Sequence, residues 1–70
     1  MSRYCVNRNA QDNGDHEVHN VDVERRCLPN LANRRDLGWH PSCQAAVRAA
    51  RTHYRQVNGC ALCASACHTG

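Results

Sequence analysis

The sequence contains no phenylalanine and no lysine, and only one tryptophan and two tyrosines among 70 residues. Its hydrophobic fraction of 41% is made largely of small side chains such as alanine and cysteine, which remove little area from water. A chain this short buries a small share of its surface, so a thin apolar core alone is not expected to hold it and a staple is required. Long hydrophobic runs are also missing. Nothing approaches the roughly 20 apolar residues of a membrane span, and the opening MSRYCVNRNAQDNGD has no signal-peptide core. The expectation is therefore a single domain over residues 1–70, cytoplasmic, with no membrane partner. A glycine-rich phosphate loop and a supported Ser/His/Asp arrangement are both lacking. No catalytic residue is assigned, and a binding role is expected rather than an enzyme.

What the chain does have is six cysteines and five histidines. That density means either a disulfide scaffold from an oxidising compartment or a metal site in a reducing one. With no secretory signal in view, metal binding is favoured, and the even cysteine count keeps the disulfide-stapled scaffold as the alternative. All nine basic residues are arginine, and the net charge is +3. This mild excess is compatible with nucleic acid or an acidic protein as partner and demands neither. Nothing suggests an oligomer, and a monomer is expected.

Two stretches, residues 3–9 and 16–23, carry β-branched and aromatic residues around Asn13-Gly14, a dipeptide suited to a type I′ hairpin turn. Proline, glycine and asparagine break any period in RRCLPNLANRRDLGWHP, which reads as an irregular connection with room for a short third strand at 37–39. Ser42 then serves as N-cap of the best helical segment, SCQAAVRAARTHYRQVNG. Cys43, Ala46, Val47, Ala50, Tyr54 and Val57 form its apolar stripe, and Gly59 suits a left-handed C-terminal cap. The fold class is α+β, with an N-terminal hairpin and one main helix. Arg48, Arg51 and Arg55 fall on a second face of that helix, where a row of cations could lie along phosphates or simply face solvent.

The chemistry concentrates near the C-terminus, in NGCALCASACHTG. Cys60-Ala-Leu-Cys63 is the C-x2-C half-site with which a tight turn presents two thiolates to one tetrahedral ion. His19 and Cys27 are the nearest upstream candidates to complete a zinc site. If the terminal segment is helical, Cys67 or His68 could take the place of His19. A set of Cys27, Cys60, Cys63 and Cys67 would equally suit an iron–sulfur cluster. Cys43 is expected as a buried free thiol, with a Cys43–Cys67 disulfide as the rival, and Cys5 as a strand residue without chemistry. His16, His40 and His53 are expected to bind no metal. A haem attachment lacks the C-x-x-C-H spacing, and a thioredoxin-type pair would open a helix rather than follow one.

The order EVH, CLPN, LGW, AVRAA, NGCxxC and CHT resembles a set of uncharacterised small bacterial proteins rich in cysteine and histidine, over residues 4–69. More distantly the scaffold is similar to the zinc domain of Ada-type repair proteins and to short zinc-ribbon-like domains appended to nucleases. The resemblance implies one zinc held by an upstream pair and a terminal C-x2-C, here His19 and Cys27 with Cys60 and Cys63. It also implies an accessory role in nucleic-acid transactions. A protein-interaction module in which zinc only sets shape is the competing expectation.

Overall fold

In the computed structural model, which describes residues 1–23 and 26–69, the fold is α+β, as expected. Strands β1 (Ser2–Asn7), β2 (His16–Asn20), β3 (Arg34–His40) and β4 (Val57–Gly59) form one mixed sheet in the order β3-β1-β2-β4. One α-helix among the described residues, α1 (Cys43–Ala50), joins β3 to β4. The two edge strands are thus linked by a helix that crosses the central hairpin.

The β1–β2 hairpin pairs antiparallel, with Tyr4 opposite Asn20, Cys5 opposite His19 and Val6 opposite Val18. Residues opposite one another share a sheet face, so Tyr4, Val6 and Val18 line one side while Cys5 and His19 line the other. The first side packs against Ala46 and Ala50 of α1, both fully buried. This is a small core of two valines, alanines and one tyrosine ring, as thin as the composition implies.

Two local expectations for the sheet need correction. The connection between β1 and β2 is not a two-residue type I′ turn, which would place both Asn13 and Gly14 at positive φ. Only Gly14 is there, at 94°, and the wider loop is closed by Gly14 N donating to Gln11 O at 2.8 Å and by Asp15 N donating to the Asn13 side chain at 2.9 Å. The third strand is longer than 37–39, because a bulge at Leu37 lets Tyr4 pair with Gly38 and Cys5 with Asp36. Gly38 accommodates that bulge at φ 79°.

The helix begins where expected, with the Ser42 hydroxyl accepting from Ala45 N at 3.3 Å. It ends early, at Ala50. Val57, Asn58 and Gly59 leave the helix to pair parallel with His16, Glu17 and Val18, because non-local strand pairing satisfies their backbone groups at the open edge of β2. Arg55 consequently lies beyond the helix, and the expected row of Arg48, Arg51 and Arg55 is not one helical face. Gly59 is not a left-handed cap either: a Cβ there would stand 2.7 Å from Cys67 Cβ and 2.8 Å from Ala64 O. Its role is close approach of two backbones.

Cys43 and Cys67 form a disulfide. The expected free buried thiol at Cys43 gives way to its rival, since the first turn of α1 and the 3-10 turn Ser65–Cys67 meet across the end of the sheet. No helix among the described residues is long and apolar enough to cross a membrane.

Candidate metal centre

The parallel register of β2 and β4 assembles the site. Val18 lies opposite Gly59, and Cys60 N donates to Val18 O at 2.9 Å, so the residue after each, His19 and Cys60, arrives at the same end of the strands. A tight turn follows, with Ala64 N donating to Cys60 O at 3.0 Å, and brings Cys63 back beside Cys60. Cys27 enters from the connection after β2. The ligand atoms of His19, Cys27, Cys60 and Cys63 all lie within 4.8 Å of one another. These are the four residues singled out in the sequence.

Of the alternative ligands, Cys67 is consumed by the disulfide. His68 instead turns its Nδ1–H to Gly59 O at 3.0 Å. The loss of Cys67 also breaks the four-thiolate set that an iron–sulfur cluster would draw on. His16 is stacked on Tyr54 with ring centroids 3.8 Å apart, His40 donates from Nε2 to Leu37 O at 2.7 Å, and His53 is exposed. None of the three belongs to the cluster. Cys5 lies in β1 directly across from His19, 2% exposed and outside any disulfide. Sequence reading gave it no role, and only the hairpin register reveals it as a neighbour of the cluster.

The environment of the four groups suits a cation bound by thiolates. His19 is 1% exposed, and burial lowers its pKa below the ordinary 6.5 despite the opposing pull of Glu17. The ring is therefore neutral at physiological pH. Its Nδ1 faces Cys63 Sγ at 3.4 Å while Nε2 faces Glu17 Oε1 at 3.4 Å. A proton on Nε2 leaves the Nδ1 lone pair directed at the sulfurs, the tautomer a metal ligand requires. Glu17 is held in turn by Gln11, whose side-chain amide donates to Oε2 at 2.6 Å. Gln11, Glu17 and His19 thus make an outer chain that orients the imidazole.

Burial raises the Cys63 thiol well above its ordinary 9.0, contact with Cys27 adds to the effect, and the Asn20 N–H opposes it. Cys27 is raised as well, chiefly by burial. Thiols packed this way stay neutral by themselves, so a cation that captures them must displace their protons. Two amides are placed to stabilise the resulting thiolates: Asn20 N donates to Cys63 Sγ at 3.3 Å and Leu62 N to Cys60 Sγ at 3.4 Å. One imidazole nitrogen and three sulfurs, with N–H donors aimed at two of the sulfurs, match the donor set of a tetrahedral structural zinc site.

Arg48, Arg51 and Arg55, the other residues marked out in the sequence, are exposed and lie outside the cluster. Arg48 and Arg51 line a groove against the 3-10 turn Ser65–Cys67, which Arg55 does not join. No family model, no curated protein and no solved structure matches this chain, so the chemistry of the centre rests on its own geometry.

Proposed function

We propose that the chain is a small zinc-binding module in which one Zn2+, held by His19, Cys27, Cys60 and Cys63, serves to set shape. The observation that carries this reading is the convergence of one imidazole and three thiols within 4.8 Å from three separate parts of the chain. Four protein donors fill a tetrahedral shell and leave no position for water or substrate. The neighbouring carboxylate, Glu17, is engaged by His19 and Gln11 rather than poised as a base. Binding to a partner is the role such a centre serves, and catalysis is not.

The energetic case is the one posed by the thin core. Structural zinc in small finger peptides contributes on the order of 10 kcal/mol at neutral pH, comparable to the whole stability of a small domain. Here the ion would tie the C-terminal turn and the Cys27 connection to the end of β2. For the partner, Arg48, Arg51 and Arg55 are exposed but do not share one helical face, so the cation row that motivated an accessory role in nucleic-acid transactions does not form. A protein partner is supported by the modest net charge of +3. Native mass spectrometry of the protein purified without added metal tests the zinc reading: one zinc per chain is expected, absent in Cys27→Ser and Cys60→Ser variants. A metal-free chain with the same far-UV circular dichroism before and after chelator treatment would refute it.

A further inference from the structure

The disulfide and the cysteine-rich turn hold a second feature in place. Between α1 and the 3-10 turn Ser65–Cys67 runs a groove of about 320 Å³ lined by Gln44, Val47, Arg48, Arg51, Ala66 and Cys67. Val47, Ala66 and Cys67 give it an apolar lining, and Arg48 and Arg51 stand exposed beside them. Both walls are fixed. Cys43, the first residue of α1, is bonded to Cys67 at the end of the turn, and the turn packs so closely on β4 that Gly59 has no room for a side chain.

The charge around this groove is one-sided. Residues 41–69 contain no Asp or Glu, so all six acidic residues lie elsewhere in the chain. Among the described residues, the ion pair between Arg3 and Asp36 and the contact of the neutral His19 with Glu17 both leave Arg48 and Arg51 out. Two uncompensated guanidinium groups beside an apolar lining are complementary to a ligand that is anionic and apolar at once. A planar guanidinium takes a carboxylate through two parallel hydrogen bonds, and Arg is favoured where such pairs anchor an interface.

We infer that this groove is the docking site for an acidic peptide segment of a partner protein, with one apolar side chain inserted over Val47, Ala66 and Cys67 and flanking carboxylates on Arg48 and Arg51. A nucleic-acid strand fits less well. A phosphate backbone makes no use of the apolar lining, and the groove offers no aromatic face on which bases could stack. Tyr54 is covered by His16, and Trp39 is on β3 and does not line the groove. The inference goes beyond the zinc reading and does not require it, because the disulfide alone joins the two walls.

The test is an amide-resolved NMR titration of the whole chain with three probes. They are a synthetic peptide with one leucine flanked by Asp and Glu, its analogue with Asn and Gln in those places, and a short oligothymidylate. The acidic peptide is expected to shift the amides of Gln44, Val47, Arg48, Arg51, Ala66 and Cys67. Arg48→Ala and Arg51→Ala should each weaken it roughly tenfold, the loss of one charge-assisted contact, and Arg48→Glu with Arg51→Glu should abolish it. Both arginines are exposed, and an unchanged spectrum of the free variants confirms that they fold. Equal binding of the Asn/Gln analogue, shifts at other residues, insensitivity to the Arg substitutions, or binding of the oligothymidylate alone would overturn the inference, as would no shift at millimolar acidic peptide. Zinc content measured on the same samples keeps the two readings apart: a metal-free chain that binds the peptide removes the zinc centre and leaves the groove, and a zinc-loaded chain that ignores it does the reverse.

Discussion

His19 Nδ1 and Cys63 Sγ stand 3.4 Å apart although 44 positions separate them in the chain. The contact joins the hairpin to the C-terminal turn at the point where four potential ligands meet. With Nε2 turned to Glu17 at 3.4 Å, the imidazole is oriented from behind. Substituting Glu17→Gln removes the acceptor charge and spares the ligands, and outer partners of this kind typically alter metal affinity roughly 10- to 100-fold. Zinc affinity measured by chelator competition should fall by that order in Glu17→Gln and be lost in His19→Ala. An unaltered affinity in Glu17→Gln would detach Glu17 from the centre.

The Cys43–Cys67 bond closes a loop across a separation of 24 residues. The chain-entropy model assigns a loop of this length about 3.5 kcal/mol of stabilisation. A Cys43→Ala, Cys67→Ala double variant should therefore unfold at a lower denaturant concentration by that order while still holding one zinc, since neither residue belongs to the ligand cluster. Loss of zinc in the double variant would show that the two staples are a single unit.

Gly59 sits where two segments approach closely, with Cys67 Cβ and Ala64 O both under 3.0 Å from the position a side chain would take. The obstacles are largely backbone, so Gly59→Ala must push the 3-10 turn away from β4. Overpacking of this kind costs roughly 1–3 kcal/mol. A denaturation midpoint equal to that of the unsubstituted chain would contradict the close approach.

Cys5 supplies a pH signature at the alkaline end. Burial raises its thiol from 9.0 to about 11, assisted by Asp36 and Cys27 and opposed by Arg34. The folded state therefore keeps a proton that the unfolded chain gives up first. Its contribution to stability is complete below pH 9 and is lost as pH rises towards 11. Denaturation midpoints measured across that interval should fall less steeply in Cys5→Ala than in the unsubstituted chain. Identical slopes would mean that Cys5 ionises alike in both states.

The parts of this fold that were legible from the sequence are those with local causes. Ser42 caps α1 because a hydroxyl before an alanine-rich run can serve the first turn, and the β1–β2 pair follows from two short β-prone stretches. The four potential ligands were legible through the C-x2-C spacing of Cys60 and Cys63, with His19 and Cys27 as the nearest upstream donors, and these four groups converge in the structure. What escaped is non-local. Val57 continues the apolar spacing of the helix and Asn58-Gly59 reads as its end, and only the open edge of β2 recruits the three as a strand. Cys43 sits on an apolar stripe like any packed thiol, and its bond to Cys67 depends on how α1 lies over the sheet. The proximity of Cys5 to the cluster is a matter of hairpin register, which the imperfect alternation of β2 did not specify.

X-ray absorption at the zinc edge of the purified protein tests the central claim most directly. One zinc per chain is expected, with three sulfur neighbours at about 2.3 Å and one nitrogen at about 2.0 Å. A shell of oxygen and nitrogen alone, a shell of four sulfurs, or a protein that carries no zinc would contradict it.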